Sequence, residues 1–230
     1  MFGLKKLWNR WFYFKQSARL GLLPSGYANK SPSGDYMPFL VESEVRASAP
    51  RGGVLLEKKV LNKAFTARAD SAPVSNQFDV FLSHSSNEPE ELLYGVQAVL
   101  ERHALTVYID KLSDPGLSRD GVTPDTAKTI RMRMRQSRSL LYVYSQYSIK
   151  SRWMPWELGY FDGLKDKVGI LPVFPTLKEG RFEGEEYLGL YPYVDGTVSG
   201  ILWINSLTPG HYARLPRWVK GTQPITLLGA

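Results

Sequence analysis

Several polar side chains that could bind or act on a ligand follow directly after short apolar runs of the sequence. These side chains are Ser83, His84, Asp110 and Ser145. The apolar runs before them have the length and composition of buried parallel strands. Parallel strands end at one edge of a sheet, and open sheets bind ligands at that edge. We therefore expect these hydroxyl, imidazole and carboxylate groups to provide hydrogen bonds at a common ligand site.

Glu157 could take part in catalysis, because a fixed carboxylate can stabilise positive charge that develops during a reaction. It lies close to Trp153 and Trp156, whose rings could form the walls of a cleft or stack on a ligand. Plainer interpretations remain open for these residues. Pro155 would place Glu157 in the first turn of a helix, where the helix dipole favours acids. The tryptophans could equally be packing residues, and His84 could be a turn residue with its hydrogen bonds satisfied.

The composition excludes some kinds of chemistry. Cysteine is absent, which excludes disulfides, thiolate catalysis and cysteine-based zinc sites, and is typical of a reducing compartment. The chain has three histidines, at positions 84, 103 and 211, and they are too scattered to suggest a metal cluster. We predict no metal site.

The net charge of +7 is concentrated at the N-terminus. Residues 1–75 hold 12 Lys/Arg and 5 Asp/Glu, whereas residues 76–230 hold 17 of each. The C-terminal part therefore has no net attraction for a polyanion, and we predict that it does not bind nucleic acid.

An alternation of strands and helices positions the candidate residues. The pattern predicts strands over residues 78–82, 105–109, 140–144, 168–174 and 200–204. It predicts helices over residues 89–103, 124–137 and 155–164, with Thr123 and Pro124 as the N-cap and first residue of the second helix. Strands that alternate with helices indicate an α/β fold, with a parallel sheet covered by helices on both faces.

The N-terminal part has a different character. Residues 1–23 combine aromatic and basic side chains in a pattern typical of an amphipathic helix. Such a helix could lie on a membrane, dock on an effector protein or pack on the chain's own core. Residues 24–76 are rich in Ser, Gly, Pro and Ala and are predicted to be a linker or irregular arm. No membrane-spanning helix or signal peptide is predicted.

The order and spacing of several motifs resemble the TIR domain. They are FDVFLSHSS, VYID, a loop containing DG, IRMRMRQSRSLLYVYS and YSIKSRWMPWELGYFDG. The last run contains Ser151, Trp153, Glu157 and Leu158, which match the family's Ser-x-Trp-x-x-x-Glu-Leu motif. The resemblance implies a flavodoxin-like, open parallel sheet of five strands in the order 2-1-3-4-5, with helices on both faces and a basic N-terminal extension. We expect the TIR-like domain to cover residues 77–215, followed by a tail over residues 216–230.

The resemblance also implies an activity. The glutamate that matches Glu157 is the essential residue of enzymatic TIR domains, which break the bond between nicotinamide and ribose in NAD+. Ser83, His84, Asp110, Ser145 and the two tryptophans are then expected to bind the substrate. NAD+ would be the substrate and no cofactor would be needed. Water as acceptor gives ADP-ribose, whereas a hydroxyl or ring nitrogen of the same molecule gives a cyclic product.

The Trp-Glu-Leu-Gly-Tyr run is most similar to bacterial TIR-like proteins of phage defence, which favours a signal-producing enzyme in the cytoplasm. We expect self-association through TIR–TIR contacts, and residues 110–123 correspond to the family's BB loop, which mediates such contacts. Two alternatives are a non-catalytic TIR scaffold and a membrane-directed effector that uses residues 1–23. The basic residues at positions 131, 133, 135 and 138 are interpreted as a solvated helix face and not as a phosphate site, which is the alternative for such a run.

Overall fold

A computed structural model describes residues 39–71, 77–114, 123–176, 186–208 and 210–226. The predicted amphipathic segment 1–23 lies outside the described residues, as does most of the predicted BB loop. Within the described ranges, no helix is both long enough and apolar enough to cross a membrane.

A parallel sheet forms the centre of the domain. Its strands are β2 (Phe78–Ser83), β3 (Val107–Tyr108), β4 (Ser137–Tyr144), β5 (Val168–Phe174) and β6 (Tyr193–Asp195). They lie in the order β3-β2-β4-β5-β6, and every neighbouring pair is parallel. When β2 to β6 are counted as the first to the fifth strand, this is the predicted 2-1-3-4-5 order. The central strands are apolar on both sides because helices cover both faces of the sheet.

The fifth parallel strand differs from the prediction. Residues 200–204 were expected to form it, but the strand is β6, and residues 200–204 overlap β7 (Trp203–Asn205), which runs antiparallel to β6. The chain turns back after β6 at Gly196, whose φ of +134° is unfavourable for other residues. A Cβ atom at this position would lie 2.4 Å from the carbonyl oxygen of Ile201. Three short antiparallel strands therefore extend the sheet instead of one more parallel strand.

The predicted tail contributes to this extension. It contains most of α7 (Leu215–Val219) and all of β9 (Ile225–Thr226), which pairs with β8 (His211–Arg214). Trp218 and Val219 are buried in the core. The sheet thus continues beyond residue 215, where the sequence suggested that the domain ends.

Helices cover the two faces of the sheet. One face packs against α3 (Glu90–Glu101), and the other packs against α5 (Pro124–Gln136) and α6 (Trp153–Lys165). The predicted N-cap of α5 is confirmed, because the Thr123 hydroxyl accepts a hydrogen bond from the backbone N–H of Thr126. A short helix, α4 (Asp110–Ser113), follows β3 directly.

The described part of the predicted linker is regular structure. Residues 40–70 form β1 (Leu40–Val41), α1 (Glu42–Ala47) and α2 (Gly52–Asp70), and β1 pairs in parallel with β5. Helix α1 packs closely on α3, and the glycine at position 95 permits this contact. A Cβ atom at Gly95 would lie 2.1 Å from the carbonyl oxygen of Val45. On α2 the buried residues are Asn62, Thr66 and Ala69. Since they are small or polar, the sequence gives no apolar stripe from which this helix could be predicted.

Candidate active site

Glu157 lies at the edge of the sheet where β2 and β4 end. Its side chain is fully buried, and its Oε2 accepts a hydrogen bond of 2.6 Å from the hydroxyl of Ser83. Ser83 is the last residue of β2, and Glu157 is on α6, which follows β4 along the chain. The structure therefore brings together the two residues that the sequence placed at this edge. A buried carboxylate requires such partners, because its transfer from water is otherwise very costly.

The position of Glu157 in its helix argues against the plainest interpretation of this residue. Helix α6 begins at Trp153 and not at Pro155, so Glu157 is its fifth residue, and α6 has no acid in its first turn. A carboxylate that only complements the helix dipole lies in the first turn and is normally exposed to water. Glu157 instead faces the sheet.

His84 and Asp110 form a second contact at the same edge. The Nε2 atom of His84 lies 2.6 Å from Oδ1 of Asp110, and both side chains are buried. The Nδ1 atom lies 2.8 Å from the carbonyl oxygen of Ser85, which can only accept, so Nδ1–H donates. This contact joins the end of β2 to the residue that begins α4. The imidazole is thus held as expected for a structurally satisfied turn residue, and its role with substrate stays a prediction.

Ser145 contacts a carboxylate that the sequence interpretation missed. Its hydroxyl donates a hydrogen bond of 2.7 Å to Oε1 of Glu88, which is 1% exposed. The Oε2 atom of Glu88 has no hydrogen-bond partner among the described residues. Burial raises the pKa of Glu88 from 4.5 to about 7, although the hydrogen bond from Ser145 opposes this effect. In the sequence, Glu88 precedes a proline at a helix start and could not be distinguished from a surface acid.

The N-terminal arm reaches this edge as well. Glu42, on α1, accepts a hydrogen bond of 2.8 Å from the side-chain amide of Gln146 and is paired with Arg46 at 2.7 Å. Gln146 directly follows Ser145. The negative charge of Glu42 also contributes to the raised pKa of Glu88. The arm is therefore part of the surroundings of the site, which its interpretation as a linker did not suggest.

Trp153 and Trp156 lie at the start of α6, next to a groove. Their rings are 5.2 Å apart and nearly perpendicular, and Trp156 also stacks on Tyr160 at 5.9 Å. The groove has a volume of about 460 Å³ and is lined by Ala127, Arg131, Arg152, Trp153 and Trp156. Both tryptophans are partly exposed, so they serve as groove walls as well as packing residues.

The basic run of α5 is not a uniformly solvated face. Arg133 is 1% exposed and is paired with Asp70 at 2.7 Å and with Asp114 at 3.1 Å. Its guanidinium group lies over the ring of Tyr108 at 5.6 Å. Arg133 therefore connects α5 to α2 and to the segment after α4. The described residues contain no group of three or more His, Asp or Glu side chains arranged to hold a metal ion.

The sheet order and the helices on both faces define a doubly wound α/β domain, and the polar residues lie at its switch point, where domains of this class bind their ligands. A TIR domain model matches residues 80–204, which is more than half of the chain, and the chain belongs to the TIR domain family. This confirms the resemblance seen in the motifs.

Two relatives carry names that describe an activity. The chain is 42% identical over 148 residues to a protein of Bacillus cereus (strain MSX-D12) named probable 3' cyclic ADP-D-ribose synthase ThsB'. That match covers 62% of this chain and 76% of the relative. The chain is also 30% identical over 96 residues to a protein of Cytobacillus dafuensis named putative cyclic ADP-D-ribose synthase TIR2. The second match covers 40% of this chain and 25% of that relative.

Proposed function

We propose that this chain is an NAD+-processing enzyme that cleaves the nicotinamide–ribose bond and converts the ADP-ribose part into a cyclic signal for phage defence. The observation that carries the proposal is the buried carboxylate of Glu157 at the edge between β2 and β4, held by the hydroxyl of Ser83. The names of the two relatives, both cyclic ADP-D-ribose synthases, support the same class of product.

The proposed reaction needs a negative charge near the ribose. As the bond breaks, its electron pair moves to the pyridinium nitrogen, and positive charge develops on the ribose ring oxygen and the anomeric carbon. A carboxylate fixed in a site of low polarity stabilises this state more than the ground state. Nicotinamide leaves as a neutral molecule, so the second carboxylic acid of ordinary glycosidases is not required. NAD+ is then the substrate, and no cofactor takes part.

Substrate binding at this site requires a rearrangement. Glu157 and Ser83 are both fully buried, so the edge has to open before a ribose can reach the carboxylate. The ribose hydroxyls would then replace Ser83 as hydrogen-bond donors to Glu157. Transfer of the anomeric carbon to a hydroxyl of the same molecule gives a cyclic product and releases the proton of that hydroxyl, whereas transfer to water gives ADP-ribose.

The test compares wild-type protein with Glu157→Gln in an NAD+ assay read by mass spectrometry. Glutamine keeps the size of the side chain and an acceptor for Ser83 but removes the charge. We expect nicotinamide release to fall by about 10²-fold or more, as for the loss of other electrostatic stabilisers. Glu90→Gln, at an exposed acid of α3, is the matched control. A cyclic product is lighter than ADP-ribose by one water, so the same spectra distinguish the two outcomes.

We also propose that activity increases on self-association, as the resemblance to enzymatic TIR domains suggests. The assay should therefore be run over a range of protein concentrations, with light scattering to measure assembly. Equal nicotinamide release by wild type and Glu157→Gln in the assembled state would rule out the enzymatic proposal, as would no release by assembled wild type.

A further inference from the structure

The groove between α5 and α6 has an unusual combination of side chains. Two arginines and two tryptophans line it, together with Ala127, and none of these described residues is acidic. Its volume of about 460 Å³ lies within the range of small-molecule sites. Guanidinium groups recognise phosphate oxygens, and indole rings stack on nucleobases. These two chemistries occur together in one class of ligand, the nucleotides.

The charges of the groove are not neutralised by the residues that the structure describes. Arg131 and Arg152 have no hydrogen-bond or ion-pair partner among the described residues. Other arginines nearby are paired, since Arg133 contacts two aspartates and Arg138 contacts Asp79 at 3.3 Å. Two unpaired cations that face one groove repel each other, and an anion between them would remove this repulsion. A diphosphate carries enough charge for both.

The aromatic wall is held in place from one side. Trp156 contacts both Trp153 and Tyr160, so the three rings form a row along α6. Trp153 is at the end of this row and is partly exposed at the groove. A ring that is fixed by its neighbours and partly exposed is suited to stack on a planar base, because little side-chain freedom is lost on binding.

The groove lies next to the proposed catalytic residue. Trp153 and Glu157 are four residues apart on α6, which places their Cβ atoms about 5–6 Å from each other on one side of the helix. A dinucleotide that bends at its diphosphate can therefore stack its adenine on Trp153 and bring its nicotinamide ribose towards Glu157. The diphosphate, which lies between these two parts of the molecule, would be close to the arginines.

We infer that this groove binds the adenosine diphosphate part of NAD+, with Arg131 and Arg152 on the diphosphate and Trp153 on the adenine. This inference rests on the proposed function, because it assigns the far end of the same substrate. It adds two binding residues that the motif of the family does not contain.

The test measures binding of ADP-ribose to the full chain by calorimetry, since ADP-ribose has no nicotinamide–ribose bond that the protein could cleave. Arg131→Gln and Arg152→Gln should each raise the Kd about tenfold, which is the usual loss for one hydrogen bond to a charged group. Trp153→Ala should weaken binding, and Trp153→Phe should restore most of it. Arg135→Gln is the matched control, because this arginine is exposed on α5 and does not line the groove.

In the active protein, the arginine variants should raise KM for NAD+ and leave kcat nearly unchanged, because these residues do not touch the bond that breaks. No measurable binding of ADP-ribose, or equal Kd values for Arg135→Gln and the double variant Arg131→Gln/Arg152→Gln, would overturn the inference. The failure of the proposed function would look different. The protein would then bind ADP-ribose through the arginines but would release no nicotinamide from NAD+.

Discussion

Glu88 provides a quantitative test of the surroundings of the site, because its raised pKa couples folding to pH. Burial is the main cause of the shift from 4.5 to about 7, and the negative charge of Glu42 adds to it. The hydrogen bond from Ser145 and the charges of His84 and Lys111 act in the opposite direction. The balance keeps the side chain protonated in the folded protein at pH values where it is ionised in the unfolded chain.

The sign and size of the effect follow from this difference. The folded state binds the proton more tightly, so the contribution to stability is fully present below pH 4.5 and is lost as the pH rises to about 7. A difference of about 2.5 between the two pKa values corresponds to about 3 kcal/mol at 1.36 kcal/mol per pKa unit. Glu88→Gln cannot ionise, so this part of the pH dependence should be absent from the variant.

Urea denaturation of wild type and Glu88→Gln at pH 5 and pH 8 measures the effect directly. Relative to wild type, the variant should be more stable at pH 8 than at pH 5 by about 2.5 kcal/mol, because linkage predicts that part of the full effect is already lost at pH 5. The comparison between two pH values removes any constant cost of placing an amide beside Ser145. Glu90→Gln, an exposed acid nearby, should show no such change. A stability difference between Glu88→Gln and wild type that is the same at both pH values would refute this reasoning.

Three further changes test the packing of the arm and of α5, each by urea denaturation. Gly95→Ala should cost about 2 kcal/mol or more, because the new Cβ atom would clash with the backbone of α1. The control is Gly159→Ala, in open space on α6, which should be neutral or stabilising. Equal effects of the two changes would contradict the close contact between α1 and α3. Asn62→Leu should cost about 1–3 kcal/mol, because it leaves the buried amide of Gln97 without its two hydrogen bonds. The double variant Asn62→Leu/Gln97→Leu should recover at least half of that loss. If the two single changes simply added, the pairing of the two amides would be contradicted. Arg133→Leu should cost about 3 kcal/mol of stability, because it removes the cation that pairs with Asp70 and Asp114. A loss of stability below about 1 kcal/mol would show that these ion pairs contribute little.

The edge of the sheet could be predicted from sequence because its signals are local. Each strand is an apolar run that ends in a polar residue, so Ser83 and Ser145 could be placed at the edge without a structure. Glu157 was placed there by its motif. The partners of these residues could not be predicted, because the contact between Ser145 and Glu88 joins residues 57 positions apart in the chain. Nothing in the run around Glu88 indicates that its side chain turns inward.

The larger misses have one origin in the N-terminal arm. Helix α2 buries small and polar residues and exposes Val54, Leu56 and Val60, so the apolar periodicity that usually predicts a helix is absent. Because α2 was interpreted as a linker, its acid Asp70 could not be considered as a partner for Arg133. The burial of Arg133 was then missed as well. The wrong prediction for α2 therefore led to the wrong prediction for Arg133, which contacts α2 from α5.

Three of the acids that are buried at the carboxyl edge of the sheet are each hydrogen-bonded to a polar residue from another segment. Glu157 contacts Ser83, and Asp110 contacts His84. Glu88 contacts Ser145. Packing alone does not account for this arrangement. Charged groups are expensive to bury, and apolar residues of similar volume usually hold a sheet edge with equal or greater stability. The acids are nevertheless concentrated where open parallel sheets bind their ligands. Their burial agrees with the proposed chemistry at this edge, in which Glu157 would be the charge that faces the substrate.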